Sequence, residues 1–136
     1  MADISITAAN VIPSVNAETV RKNAAETITA GQVVYLNTSG LVAKADANLS
    51  AAAATVYGIA ANGGGSGQLI TVVKKDPALV IGATVAIGDI LILSATAGGI
   101  APAADLATGH YCTVLGVAIS TTAINLAPVA AGAAKV

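Results

Sequence analysis

The sequence contains few charged side chains and almost no aromatic ones. Of its 136 residues, 10% are charged, 2% are aromatic and 55% are hydrophobic, and neither Trp nor Phe occurs. An average globular protein carries about 25% charged residues. A disordered chain needs the opposite balance, with much charge and few apolar side chains. The composition therefore excludes disorder and predicts a neutral surface that is solvated mainly by Thr, Ser and Asn.

The chain also lacks the charge and the cysteines that many binding sites need. Its formal net charge is -1, which gives no basic footprint for a phosphate backbone. Cys112 is the only cysteine, so an internal disulfide is excluded and a zinc site has no cysteine pair. We therefore predict no nucleic-acid partner, no metal and no cofactor.

Two features of the sequence concern export and membranes. No Lys or Arg precedes Arg21, so the first residues lack the basic front of a secretory signal, and we do not expect export by that route. Residues 106–134 contain no Asp, Glu, Lys or Arg and are numerous enough to span a bilayer. Polar residues alternate with apolar ones there, which favours strands over a membrane helix. We predict no membrane partner.

The clearest pattern is an internal duplication. Residues 27–37 match residues 84–94 position by position, with a glycine at the fifth position of both segments. Residues 55–60 match residues 113–118 in the same way, with a glycine at the fourth position. A repeat of this kind indicates two structural units of the same design.

The two copies span residues 27–73 and 84–130. Each begins with a turn, continues with a strand, a tight turn and a short second strand, and ends in a strand that contains the second glycine. Between the matching blocks, residues 41–46 align with residues 100–105. Neither copy has enough strands to bury its own faces, so the two must pack on each other. The sequence therefore predicts a mostly β fold with little helix, a small β-barrel or sandwich built from two duplicated β units.

The residues before the first copy have no counterpart in the second. We interpret residues 1–26 as an extended N-terminal arm and residues 27–136 as a single β domain. Ile4 and Ile6 alternate with polar neighbours, a pattern that can add a strand to the sheet edge of a partner. The residues predicted to contact that partner are Ile4, Ile6, Val11, Ile12 and Val15. The alternative is that the arm closes its own domain as an edge strand.

Two groups of residues could suggest chemistry, and each has a simpler explanation. The glycine-rich loop 63–67 leads into a β-branched strand, whereas a phosphate-binding loop opens a helix. His110 and Cys112 could share one face of a strand, as a thiol nucleophile and its base would. No Asn or Asp is clearly placed to orient the histidine, and buried cysteines are commonly inert. We predict no catalytic residue, so the chain is not expected to be an enzyme.

The charged residues are mostly scattered singly. Asp46 and Asp105 recur in the two copies, but Asp commonly closes a turn through contacts with its own backbone, so turns are favoured over a metal site. Residues 74–76 read Lys-Lys-Asp and follow the predicted strand 68–73. Charges at the end of a strand usually form a solvated edge that discourages unwanted strand pairing.

Four stretches carry a resemblance to a known family. They are residues 2–11, the Ala-Gly-Gln-Val-Val-Tyr-Leu block 30–36, the Tyr-Gly-Ile-Ala block 57–60 and the Gly-Asp-Ile-Leu-Ile-Leu block 88–93. In their order and style they resemble the small decoration, or cement, proteins of tailed bacteriophage capsids. The resemblance implies a β-rich, non-enzymatic virion protein that is made in the host bacterial cytoplasm and bound to the capsid exterior. It implies the major capsid protein as partner, and self-association with a trimer favoured over a dimer.

Two other classes of function remain open at this point. A phage fibre, tail or receptor-binding module that binds carbohydrate is weakened by the lack of aromatic side chains, because sugar platforms normally use them. A small thiol hydrolase would have to use Cys112 and His110. A charge-poor chain without site chemistry better suits a subunit that contacts other chains, where many copies on a lattice are held by multivalent contacts.

Overall fold

A computed structural model describes residues 3–136, and Met1 and Ala2, the first residues of the predicted arm, lie outside the described residues. The described part contains no α-helix and only two short 3-10 helices, Ala8–Asn10 and Ala103–Asp105. The strands are β1 (Val11–Ile12), β2 (Glu18–Asn23), β3 (Val33–Leu36), β4 (Val42–Lys44), β5 (Gly58–Ala60), β6 (Leu69–Ile81), β7 (Ile90–Leu93), β8 (Ile100–Pro102), β9 (Tyr111–Ala118) and β10 (Ala123–Ala134). The predicted mostly β class with little helix is confirmed.

The strands form a curled antiparallel sheet shaped like half of a barrel. Their order across the sheet is β4-β3-β5-β6-β10-β9-β7-β8, and β1 and β2 each pair with β6. The order is palindromic about the β6–β10 pair. We call β3 to β6 the first unit and β7 to β10 the second unit. The arrangement confirms the predicted barrel-like fold of two duplicated β units.

The duplication extends to individual hydrogen bonds in the turn that precedes each unit. The Gln32 N–H donates to the Thr29 carbonyl at 3.2 Å, and the Asp89 N–H donates to the Ala86 carbonyl at 3.0 Å. In return, Gln32 Oε1 accepts the Thr29 N–H at 2.9 Å, and Asp89 Oδ2 accepts the Ala86 N–H at 3.0 Å. An amide and a carboxylate are interchangeable here because each offers an acceptor oxygen.

The first shared glycine provides the backbone conformation of these turns. Gly31 has a φ of 89° and Gly88 a φ of 90°, where a residue with a Cβ is strained. The Gly31 N–H donates to the Ala60 carbonyl at 2.8 Å, and the Gly88 N–H donates to the Ala118 carbonyl at 2.9 Å. Each turn is therefore tied to the same strand of its own unit, β5 or β9.

The second shared glycine allows two strands to approach closely. A Cβ on Gly58 would collide with the carbonyl oxygen of Val73 in β6. A Cβ on Gly116 would collide with the carbonyl oxygen of Asn125 in β10. Space between strands, rather than an unusual backbone angle, thus accounts for glycine at the fourth position of both matching blocks.

Two hydrophobic clusters stabilise the fold. The larger cluster draws side chains from both units, including Val33, Ile59, Val73, Leu79, Leu91, Leu93, Ile100, Leu115, Ile124 and Leu126. The smaller cluster lies on the other face of the first unit and consists of Ala24, Ile28, Val34, Val42, Ala60, Ile70 and Val72. Val20 of β2 packs against the smaller cluster. The first unit is therefore covered on both faces, on one of them by the N-terminal segment.

The two units turn equivalent residues toward opposite faces. Val34 pairs with Gly58 in the first unit as Leu91 pairs with Gly116 in the second. Val34 nevertheless belongs to the smaller cluster, whereas Leu91 belongs to the larger one. The same sequence pattern has thus been packed with its inner and outer faces exchanged.

The neighbouring pair of residues shows the consequence of this exchange. Val33 and Ile59, which lie opposite each other, are 0% and 1% exposed in the larger cluster. The equivalent pair in the second unit, Ile90 and Val117, is 48% and 43% exposed. Successive side chains of a strand point to opposite faces, so burying Leu91 turns its neighbour outward. The second unit therefore leaves this apolar pair of its outer face partly exposed, although Ile92 on the same face of β7 is only 3% exposed.

The segment before residue 27 is bonded to its own domain over much of its described length. The Ile4 N–H donates to the Ile100 carbonyl at 2.9 Å, and the Thr7 N–H donates to the Gly82 carbonyl at 2.8 Å. Farther along, β1 and β2 both run antiparallel to β6. The segment thus lies outside the duplication and also supplies strands to its own sheet.

One predicted strand boundary is wrong. β6 continues to Ile81, through residues 74–76, which the sequence indicated as the solvated end of a strand. Asp76 is buried there, and its hydrogen bonds, described below, offset the cost of burial. Pro77 is tolerated because it falls in a shift of register between β6 and β10, where a missing N–H interrupts no regular ladder.

The predicted alignment of the short strands is also wrong, by one residue. Val42 lies opposite Leu36 in the first unit, and Ile100 lies opposite Leu93 in the second. Val42, and not Leu41, is therefore the counterpart of Ile100. Pairing between strands defines this alignment, whereas the sequence compared only similar side chains.

Candidate partner-binding surface

The structure divides the five predicted contact residues into two groups. Ile4 and Ile6 pack against the larger cluster, and Val11 belongs to it with 8% of its surface exposed. Ile12 is 58% exposed and Val15 is 99% exposed. Ile12 and Val15 therefore offer a partner the most surface, Ile4 and Ile6 are partly buried, and Val11 is part of the core.

Val15 lies in a turn formed by residues 13–17, which we call the Ser14 turn. The Ala17 N–H donates to the Ser14 carbonyl at 3.2 Å and closes the turn. The Asn16 N–H donates to Ser14 Oγ at 3.3 Å. These bonds restrict the backbone on both sides of the exposed valine.

The carboxylate of Asp76 holds the Ser14 turn from within the protein. The Ser14 N–H donates to Asp76 Oδ2 at 2.7 Å, and the Ser14 hydroxyl donates to Asp76 Oδ1. The Ala78 N–H also donates to Oδ1, at 3.0 Å. Asp76 is 0% exposed, and a buried carboxylate costs free energy unless it is hydrogen-bonded. Three donors satisfy it here, and bonds to a charged acceptor are stronger than neutral ones.

Sequence reasoning missed the role of Asp76. A local signal was available, since Asp followed by Pro favours a side-chain bond to the N–H two residues on, and Ala78 donates that bond. The contact with Ser14 joins residues 62 positions apart, and no local pattern indicates it. The contact between Ser14 and Asp76 can therefore be seen only in the folded structure.

The surface around Ile12 is neutral. The hollow beside it is lined by Ser5, Thr7, Asn10, Val80, Gly82, Ala83, Thr84 and Thr122. None of these side chains is charged, and several offer a hydroxyl or an amide group. An apolar contact residue with a polar rim is typical of protein interfaces. A partner would not have to strip water from a formal charge at this place.

His110, the base of the thiol-hydrolase alternative, contacts the backbone of its own loop. His110 Nδ1 accepts the Ala107 N–H at 3.3 Å. Asp46 accepts the Asn48 N–H at 3.1 Å, the turn contact that the sequence predicts. Within residues 3–136, no group of three His, Cys, Asp or Glu side chains is placed to hold a metal ion.

The glycine-rich loop 63–67 is held by the end of the N-terminal segment and by the residues that follow it. Ile28 and Gly64 exchange two backbone hydrogen bonds of 2.9 Å, and the Gly67 N–H donates to the Ala24 carbonyl at 2.7 Å. Ala24 and Ile28 both belong to the smaller cluster. The loop therefore fastens the cover of the first unit.

Comparisons with known proteins leave the family of the chain open. No protein-family model matches it, and no curated protein matches it. The described residues include no helix with the length and apolarity needed to cross a membrane.

Proposed function

We propose that the chain is a non-enzymatic virion protein that binds the outer surface of a tailed-phage capsid and stabilises it by bridging major capsid protein subunits. The observation that carries the proposal is the Ser14 turn, in which the buried Asp76 holds a turn that exposes 99% of Val15. The resemblance described above supports a capsid as the partner.

The geometry of the turn favours binding because its conformation is already restricted. A loose segment loses conformational freedom when it binds, and that loss opposes association. The Ser14 turn has lost this freedom during folding through its bonds to Asp76. Burying a valine side chain contributes about 1.5 to 3 kcal/mol, so one such contact binds weakly. Many copies on a lattice can nevertheless hold firmly through multivalent contact.

The tyrosines argue against the carbohydrate-binding alternative. Tyr35 and Tyr111 pack against the larger cluster, and Tyr57 packs against the smaller one. The ring of Tyr57 is also approached by Lys74 Nζ, which lies 4.9 Å from its centroid. A sugar platform needs an open aromatic face. The three rings thus already have partners within the domain.

The test is to replace Val15 and measure capsid binding. Capsids assembled without this protein are mixed with purified Val15→Asp, and bound protein is quantified after sedimentation of the capsids. We expect occupancy at a fixed concentration to fall about tenfold or more, since a charge replaces the apolar contact at the centre of the interface.

Leu49→Asp is the matched control, because Leu49 is 67% exposed but lies in the first unit, outside the Ser14 turn. It should bind like the unaltered protein. Full occupancy by Val15→Asp, or equal loss in both variants, would contradict the proposed contact. Binding of the unaltered protein to a glycan array, with none to capsids, would favour the receptor-binding alternative.

A further inference from the structure

The outer face of the second unit carries four exposed large hydrophobic residues, which we call the bare face. Ile90 and Val117 are 48% and 43% exposed, and Ile87 and Ile119 are 72% and 47% exposed. Ile90 and Val117 lie directly opposite each other on β7 and β9. Ile87 precedes β7 and Ile119 follows β9, at the same end of this strand pair. Contiguous exposed apolar residues of this kind commonly mark an interaction surface.

The bare face carries no formal charge of its own. Asn125 lies opposite Val117 on β10 and is exposed but neutral. One exposed acid, Asp89, lies between Ile87 and Ile90 at the edge of this face, and its carboxylate accepts the Ala86 N–H in the turn before β7. A partner with a strongly charged surface would gain nothing here. An identical face meets its four apolar residues with apolar residues, and the one exposed acid lies at the edge.

The duplication indicates what covers such a face. In the first unit, the equivalent residues Val33 and Ile59 are buried in the larger cluster. They share that cluster with Leu91 and Ile124, from the inner face of the second unit. In the first unit, this strand pair is thus covered by the inner sheet face of the second unit. A second copy would offer its own bare face, because its inner face is already occupied.

We propose that two copies of the chain pack their bare faces against each other about a twofold axis. A twofold contact places the same patch on both partners, so the patch must be complementary to itself, as a flat, neutral and apolar sheet face is. Sheets packed in this way lie about 10 Å apart, with interdigitated side chains. The arrangement would cover Ile90 and Val117, whose counterparts in the first unit are already buried.

The contact should be weak in dilute solution. A standard interface buries about 800 Å² on each partner and involves 20 to 30 residues a side. The four large side chains of the bare face cover less than that. Local concentration would strengthen the contact wherever copies are gathered on one surface. A pair also differs from the trimer that the resemblance implies, so the two are distinguishable by mass.

The experiment measures self-association of the purified full chain by analytical ultracentrifugation over a wide concentration range. The unaltered protein should show a reversible monomer–dimer equilibrium. Val117→Lys and Ile90→Lys should each weaken the dimer about tenfold or more, because each buries an unpaired charge at the contact. Leu49→Lys is the matched control and should leave the equilibrium unchanged.

Circular dichroism of each variant establishes that the monomer is folded. A monomer at every concentration, a trimer, or equal weakening by Leu49→Lys would overturn the proposal. Val15→Asp should associate like the unaltered protein, since Val15 lies outside the bare face. Loss of capsid binding in that variant with self-association intact would separate the two proposals.

Discussion

The two units of this protein have the same strand order and the same turns, yet they differ in how far their outer faces are covered. The outer cluster of the first unit lies beneath β2 and the residues that follow it, which the glycine-rich loop fastens in place. In the second unit the outer face is covered at Ile92, which is 3% exposed, whereas Ile90 and Val117 remain exposed. Equivalent residues of the two units thus differ in burial: Val33 and Ile59 are buried, whereas Ile90 and Val117 are exposed.

The difference shows that a repeated sequence determines where strands and turns form more closely than it determines which face of each strand is buried. The shared glycines recur because turn geometry and strand spacing are local requirements, met at Gly31 and Gly88 and at Gly58 and Gly116. Which face is buried depends on what lies beside the unit. An apolar residue on both faces of a strand leaves that choice open.

The sharpest way to test the comparison is to make the same change at equivalent positions. Ile59→Thr should lower the free energy of unfolding by about 3 kcal/mol, because it removes buried methyl groups and buries a hydroxyl. Val117→Thr should change it by less than about 0.5 kcal/mol, since the site is exposed and Thr keeps β-branching. Urea unfolding at low protein concentration measures both.

Low concentration matters because self-association would add stability to the unaltered protein and obscure the exposed site. Equal losses at the two positions would mean that Val117 is buried in solution. That result would refute the assignment of opposite faces to the two units.

The shared glycines at 58 and 116 should, by contrast, respond alike. Gly58→Ala and Gly116→Ala should each destabilise the protein by about 2 kcal/mol, because the new methyl group forces two strands apart. Gly65→Ala is the control, since its Cβ would meet only the end of the Gln68 side chain at 3.7 Å. Thermal unfolding ranks the three variants. Tolerance at one of the two shared sites would show that the units differ in strand spacing as well as in faces.

The fold class and the duplication could be predicted because they depend on local patterns. Alternation of apolar residues indicates strands, and the first pair of shared glycines, Gly31 and Gly88, indicates turns. The exchange of faces could not be predicted, since Val33 and its counterpart Ile90 are both β-branched and apolar. Their different burial arises from contacts between distant parts of the chain.

The sequence likewise did not determine which of the five proposed contact residues are exposed. Exposed Ile12 and Val15 stand among the predicted contact residues, while Ile4, Ile6 and Val11 pack on the domain itself. An apolar residue that alternates with polar ones packs on an apolar surface. The sequence alone does not indicate whether that surface belongs to the same domain or to a partner. The support of the turn by Asp76 is likewise a property of the fold.

The smallest expected effect concerns that support. Ser14→Ala removes the hydroxyl bonds to Asp76 Oδ1 and from the Asn16 N–H but keeps the bond from the Ser14 N–H, so the protein should lose about 1 kcal/mol of stability. The exposed Val15 is unchanged in this variant. Any fall in capsid occupancy therefore reports the conformation of the turn rather than the loss of an apolar contact, because a looser turn must be ordered on binding.

Ser39→Ala, in the exposed turn after β3, is the matched control. We expect Ser14→Ala to lower occupancy by a few-fold and Ser39→Ala to leave it unchanged. Undiminished occupancy together with the expected loss of stability would mean that the Asp76 contact serves only the fold of the first unit.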